Sequence, residues 1–414
     1  MAIFQIKDFA KVKGGKRLSG GFFVQDKKTN HPYIRVTDME SDKLNASNIK
    51  YVPDEAFEQI KRYTISDDDV YISIAGTIGL VGKIPNFLSG ANLTENAAKI
   101  TELDKTQIDR DYLMYFLRSR EGQFQIRARV GGSTQPKLAL NRIETIELQK
   151  REIEIQTRIA SVLSTYDDLI ENNEKRIKAL EEMAQLLYVE WFVKFKFPGH
   201  EKVKMVDSGT EYGMVPEEWA IRSVEESFEI LGGGTPSRLV PEYWGGEINW
   251  YTPTDLTGAD QMFTDASSEK ITETGLKKSS AKLFPPFSVM MTSRATIGAI
   301  SINTSFASTN QGFITCLPNE KVTLYFLYYW LKQHVPLFID LGSGATFKEI
   351  NKGNFKKIKI LCPQSNILNN FETLISSVMD LILRLQRENN RLSKMRDLLI
   401  PQLVTGKRIL KEYL

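Results

Sequence analysis

The side chains of this chain best suited to chemistry are polar donors set along short segments punctuated by glycine. The first series is Lys13, Lys16 and Arg17; Arg35 with Thr37 and Asp38; Thr77; then Ser133, Gln135 and Lys137. The second is Thr235 and Arg238; Thr254 and Asp255; Arg294 and Thr296; Thr346 and Lys348. Cations and hydroxyls of this kind suit phosphate oxygens, and Arg, Gln and Thr can also bond base edges. The same residue types suit turns, and Thr37–Asp38 and Thr254–Asp255 have the composition of turn caps. Gly79, Gly298, Gly132 and Gly344 stand among them and are expected to serve the backbone rather than a ligand.

Catalysis finds less support. The three histidines, His31, His200 and His334, lie outside metal-ligand spacing of one another and of either cysteine, so no metal site is expected. GGKR at Gly14 and GSGATFK at Gly342 both miss the phosphate-loop spacing. LFPPF, from Leu283 to Phe287, has the outline of the Asn-Pro-Pro-aromatic motif of adenine methyltransferases. It carries Phe284 where the amide that holds the base amino group belongs, and reads as a turn before the strand SVMMTS. There is no nucleophile elbow and no glycine-rich dinucleotide loop. No catalytic residue is expected, and recognition is what remains.

The two series of donors are copies of one unit. KVKGGKRL, ending at Leu18, answers ILGGGTPSRL, ending at Leu239. YIRVTDM (from Tyr33) answers WYTPTDL (from Trp250), and YISIAGTIGLVGKI (from Tyr71) answers MMTSRATIGAISI (from Met290). TENAAKIT from Thr94 faces TNQGFITC from Thr309, and DYLMYFLRS from Asp111 faces LYFLYYWLK from Leu324. GSTQPKLALNRIETIEL from Gly132 faces GATFKEINKGNFKKIKI from Gly344. Six weak pairs in one order make a strong case for duplication.

The last pair sets a register of 212 positions, which continues without a gap into two long helical patterns. From Ile155 to Trp191 apolar residues fall at Ile155, Ile159, Val162, Tyr166 and Leu169, then, past a polar break at Asn173, at Ile177, Leu180, Ala184 and Leu187. This is a heptad-type seam. Its copy runs from Asn366 to Leu399, with Phe371 matching Ile159, Leu381 matching Leu169 and Leu385 matching Asn173. A single helix cannot bury such a stripe, so the two are expected to pair within the chain. The first spans 37 residues, about 55 Å at ~1.5 Å per residue, against the roughly 34–36 Å of one DNA turn. Such a spacer could hold two half-site readers about a turn apart.

Composition sets wide bounds. The 414 residues suggest two to three domains, and 42% hydrophobic with 25% charged residues is ordinary for packed globular cores. A net charge of +3, from 54 Lys and Arg against 51 Asp and Glu, leaves room only for local basic surfaces. Cys316 and Cys362 are expected as reduced core thiols. Neither a signal peptide nor a membrane span is expected, and the cytoplasm is the default compartment.

The expected class is α+β: two similar globular domains separated by two long helices. The expected boundaries are a first domain at 1–149, a central spacer helix at 150–195, a linker at 196–214, a second domain at 215–361, a C-terminal spacer helix at 362–404 and a tail at 405–414. Within the first domain, helices are expected near Asp111–Arg120 and after Pro53, with Asp54 as N-cap.

The duplicated domain–helix layout, GGGTPS at Gly232, the T-D loop, the TIG strand–turn and the GSTQPKL/GATFKEI segment running into a helix resemble the specificity subunit of type I restriction-modification systems. So do LLYVEWFVKFKFPG in the first half and LLIPQLVTGKR in the second. The resemblance covers essentially the whole chain. It implies two target recognition domains, each reading one half of a bipartite, asymmetric double-stranded DNA site, and an antiparallel coiled coil that sets the gap. It implies a non-catalytic chain in a prokaryotic cytoplasm that recruits two methyltransferase subunits and two translocase–nuclease subunits. S-adenosylmethionine, ATP and Mg would serve those partners, with no cofactor bound by this chain. In the first half, KGGKR replaces GGTP and LTENAA replaces TNQG. The main competing reading is a coiled-coil adaptor without DNA specificity.

Overall fold

The computed structural model describes residues 3–41, 43–132, 134–258, 261–344 and 348–406. The chain forms two compact units, Met1–Glu171 with Asn390–Leu414, and Asn172–Asn389. Each combines an α+β globular part with one segment from each of two long helices, Ile153–Tyr188 and Ser365–Val404. The first of these helices contains no glycine or proline, so nothing in its interior breaks the ladder. It ends in a π-helical turn, Val189–Val193, that carries Trp191 and Phe192 into the core.

In unit one, an antiparallel sheet runs in the order Lys11–Gly14, Ala97–Thr101, Val70–Ser73, Val81–Gly82. Val70–Ser73 is buried on both faces, which accounts for the apolar run Val70-Tyr71-Ile72 without alternation. A second sheet, ordered Lys50–Tyr51, Pro32–Ile34, Ala91–Leu93, Thr64–Ile65, contains one parallel pair, Pro32–Ile34 with Ala91–Leu93. Ile3–Gln5 pairs with Glu147–Gln149 and closes the globular part just before the long helix. Helix Arg110–Arg118, capped by the Asp109 carboxylate on Tyr112 N, buries Tyr112 to Leu117 without interruption. A single helix was expected there. A second one, Arg120–Ala128, follows because Ser119 leaves helical geometry and caps it through Gly122 N. After Pro53, the helix is Asp54–Ile60 with Pro53 at the cap position, so Asp54 is its first residue rather than its N-cap.

Unit two repeats this plan. Its larger sheet runs Glu229–Gly232, Phe313–Leu317, Val289–Thr292, Ile300–Asn303, Phe263–Thr264. A three-stranded sheet again holds a parallel pair, Trp244–Tyr251 with Ala307–Thr309, and Ala220–Ser223 closes on Lys359–Cys362. The apolar helix Leu324–Asp340 buries Tyr325 to Leu331 and forms the heart of the core. The stretch read as a connecting segment is folded here: Phe197 is buried, and Met205–Asp207 pairs with Met214–Pro216.

Within each unit the two helix segments pack antiparallel. In unit one, Ile159, Ala160 and Leu163 share a core with Ile400, Leu403 and Val404, and the Asp167 carboxylate meets Arg396 at 2.6 Å. In unit two, Tyr188 and Trp191 pack on Phe371, while Asn173 Nδ2 donates to Asn389 Oδ1 at 3.0 Å. The seam follows the expected stripe at Ile159, Val162, Ile177, Leu180, Ala184 and Leu187 and departs from it at two positions. Ile155 and Leu169 are each 44% exposed, and Leu163, beside Val162, is fully buried. Asn173 is no break in the stripe; it is buried within it. No helix among the described residues is long and apolar enough to cross a membrane.

Candidate nucleic-acid interface

In unit two the motifs of the repeat converge on one loop, Thr309-Asn310-Gln311-Gly312. Gly234 N bonds Thr309 O at 2.9 Å, Asn310 N bonds Tyr251 O at 3.0 Å, and Ser293 N bonds Gly312 O at 2.8 Å. Ile350 N bonds Ser293 O at 3.0 Å, which ties in the segment after Gly344. Unit one makes the same bonds around residues 93–96. Lys16 N bonds Leu93 O at 2.9 Å, Thr94 N bonds Ile34 O at 3.0 Å, Ile74 N bonds Asn96 O at 2.8 Å, and Leu138 N bonds Ile74 O at 3.0 Å. These bonds place Leu93, rather than Thr94, opposite Thr309. Thr94 and Thr309, alike in sequence, are one residue out of structural register. Backbone bonding, which every buried N–H must complete, fixes the true equivalence.

Two glycines let the chain cross this loop. A Cβ on Gly233 would lie 1.9 Å from Asn310 O, and one on Gly15 would lie 2.1 Å from Thr94 O. The hairpin turn beside the loop needs positive φ at Gly79 (92°) and Gly298 (95°), and Gly132 and Gly344 also have positive φ, at 93° and 129°. A hydroxyl holds each hairpin turn. Ser73 Oγ donates to Thr77 O at 2.6 Å and accepts from Leu80 N at 2.8 Å. Thr292 Oγ1 donates to Thr296 O and accepts from Ala299 N at 2.9 Å. A ring donor completes each site: Tyr33 Oη to Lys16 O at 3.0 Å, and Trp250 Nε1 to Gly234 O at 2.9 Å. Neither pair of residues was singled out in the sequence. The only signal was a hydroxyl and a large aromatic at matching places in the repeat.

The residues picked out as contacts divide into two groups. Some are committed to the fold. Asp38 is buried, accepts from Arg35 N at 2.8 Å and takes the Arg35 guanidinium, whose affinity for its proton rises through that carboxylate. Asp255 closes the equivalent turn, accepting from Thr252 N at 2.7 Å and Ser268 N at 2.8 Å. Burial would raise the Asp255 carboxyl, but these hydrogen bonds outweigh it and hold it below the usual carboxylate range. Lys13 and Lys11 both pair with Glu102, and their hydrogen bonds, Lys11's first, lower that carboxyl to about 2. Arg238 is held by Glu269, and Thr235 Oγ1 donates to Gln311 Oε1 at 2.7 Å.

The others are exposed. In unit one these are Lys16, Arg17, Thr37, Thr77, Gln135 and Lys137, on the segments that meet at residues 93–96. In unit two they are Thr254, Arg294, Thr296 and Lys348, on the segments that meet at Thr309–Gly312. Arg294 lies 3.8 Å from Glu349. Ser133 and Thr346 lie outside the described residues. Each unit therefore carries a set of loop donors gathered by one backbone hub, and the donors of the two sets differ: Lys16 and Arg17 stand where the other unit has Gly234 and Thr235. Among the described residues, no group of three or more His, Cys, Asp or Glu is placed to hold a metal ion.

The comparisons with known proteins point the same way. The family model described as "Type I restriction modification DNA specificity domain" matches residues 1–182 and 216–392. The HindI specificity subunit of Haemophilus influenzae is 24% identical, with 91% of this chain and 94% of that one covered. The MjaIX specificity subunit of Methanocaldococcus jannaschii is 33% identical over 45% of this chain, and the match spans 43% of that subunit's length. In fold, the crystal structure of the type I restriction-modification S subunit from M. genitalium superposes with a TM-score of 0.57 at 14% identity, covering 97% of this chain and 96% of that one.

Proposed function

We propose that this chain, which belongs to the type I restriction-modification DNA specificity family, reads a bipartite asymmetric site in double-stranded DNA, one half with each unit. The observation that carries the reading is the repeated hub: the same backbone bonds assemble loops with different exposed donors in each unit. Equal scaffolds with unequal reading groups are what two different half-sites require. The paired helices would act as the spacer, and inserting about four residues near Asn173, roughly one helical turn, is expected to lengthen the gap between the half-sites.

The chain would serve without catalysis of its own. It would recruit two copies of an S-adenosylmethionine-dependent adenine methyltransferase subunit and, for cleavage, two ATP- and Mg-dependent translocase–nuclease subunits. The duplication supports a partner that binds twice. Met183 and Leu186 on one helix are 50% and 65% exposed, and Met395 and Leu398, each 212 positions on, are 50% and 66% exposed. Apolar side chains repeated in register with matched exposure suit two copies of one partner. Much of the grip on phosphate would then come from the partners, and the near-neutral chain alone would bind DNA weakly and with strong salt dependence. Methylome sequencing of a host carrying this chain with its methyltransferase tests the reading. A bipartite motif with one modified adenine on each strand is expected; a host left without such a motif would support the adaptor reading.

A further inference from the structure

The loop from Gly234 to Val240 rises from the hub of unit two on a rigid base. Arg238 forms a two-point ion pair with Glu269, and its Cζ lies 3.7 Å from the centre of the Trp244 ring. Trp244 Nε1 donates to Ser237 O at 3.1 Å, and Leu239 N donates to Ser237 Oγ at 3.3 Å. Thr235 is tied to Gln311, and Gly234 O is held by Trp250. Thr235, Ser237 and Arg238 are thus engaged within the fold. Beside them Leu239 is 92% exposed, the highest value for a large apolar side chain among the described residues. Leaving it there gives folding no hydrophobic gain, yet the surrounding ion pair, ring stack and hydrogen bonds hold its backbone firmly in place.

We infer that Leu239 reads the 5-methyl group of a thymine in the major groove of the half-site that faces unit two. Apolar contact with that methyl is one of the direct means of telling an A·T pair from the others. Arg238, whose charge made it a candidate for phosphate or guanine, is neutralised by Glu269 and acts as a positioning residue for its neighbour. This inference rests on the proposed DNA reading and goes a step further, to one residue and one atom of the base.

The test uses the full chain assembled with its methyltransferase subunit, and duplexes that carry the motif found in the methylome. Each thymine in the half read by unit two is replaced in turn by uracil, which lacks only the methyl group. Uracil at one position is expected to weaken wild-type binding about fourfold, the value for one methyl-sized apolar contact. Leu239→Ala is expected to weaken binding to the thymine duplex by a similar factor and to show no further loss with uracil. Because Leu239 is exposed, its replacement should leave thermal unfolding unchanged, and a melting curve serves as the control. The inference is overturned if that half contains no A·T pair, if uracil costs nothing at every position, or if Leu239→Ala binds and discriminates as the wild type does. In each of those cases the DNA reading stands. If the wild-type complex fails to bind the duplex at all, the DNA reading itself fails.

Discussion

Replacing Gly233 with alanine should dismantle the hub of unit two. The added Cβ would lie 1.9 Å from Asn310 O and 2.3 Å from Thr309 O, so the loop must retreat by about 1.5 Å to reach ordinary van der Waals contact. That displacement exceeds what the Gly234 N–Thr309 O and Asn310 N–Tyr251 O bonds, 2.9 and 3.0 Å long, can absorb. Two lost backbone bonds at ~1 kcal/mol each, with overpacking strain of about 1–3 kcal/mol, give a destabilisation of roughly 3–5 kcal/mol. That is a large share of the ~5–15 kcal/mol that holds a domain together. The assay is urea unfolding of the full chain, followed by tryptophan fluorescence, since Trp244 and Trp250 lie beside this loop. Gly353→Ala, in helix Lys352–Lys357, is the control; its Cβ would come no nearer than 3.3 Å to Asn351 Oδ1, and a change within about 0.5 kcal/mol is expected. Gly15→Ala should produce the parallel loss in unit one. If Gly233→Ala unfolds like the control, the close crossing is not what the glycine is for, and the hub argument fails.

Three further outcomes follow from the packing. Arg396→Met leaves Asp167 without its 2.6 Å partner and should cost about 2–3 kcal/mol, less than the ~3–5 kcal/mol of a fully buried broken pair, because Asp167 keeps the Arg118 guanidinium at 3.8 Å and the Tyr115 hydroxyl; pairing it with Asp167→Asn in a double-mutant cycle measures the coupling. Leu163→Ala should cost about 2–5 kcal/mol in thermal unfolding, whereas Leu169→Asp, at an exposed position, should cost under ~1 kcal/mol; equal costs would put Leu169 back in the seam. His334 is half-buried beside Trp330, and that partial burial lowers its pKa below the usual histidine value despite the Trp330 carbonyl and the Glu211 charge. Its neutral form is the one the fold accepts, so the stability it permits is present above the ordinary histidine value and falls as pH drops from there towards the lowered one; His334→Gln should flatten that part of the melting-temperature profile, and an unaltered profile would refute the assignment.

Much of the architecture was legible because it is repeated. The 212-residue register carried the long helices, and the order of six motif pairs carried the two globular parts. Most of the seam was legible too, and its exact edge was not. Val162–Leu163 and Leu169–Ile170 each offer two adjacent apolar residues, and a period between 3.5 and 3.6 cannot choose between them without the partner surface. Asn173 looked like an interruption because its partner, Asn389, is 216 positions away. A polar residue in such a seam is a known means of fixing register, but only the structure identifies the pair. The candidate site was legible as loops and not as roles. Asp38, Asp255 and Arg238 have the chemistry of contacts and are used as turn caps and clamps, while Ser73, Thr292, Tyr33 and Trp250 build the site through single hydrogen bonds that leave no pattern in composition or spacing.

On the proposed reading each unit recognises its own half of one DNA site. Methylome sequencing tests it most directly when residues 215–361 are exchanged for the corresponding part of another specificity subunit and the rest of the chain is kept. The expected motif has one half replaced while the other half and the gap between them stay as they were. A motif changed in both halves, or changed in neither, would contradict it.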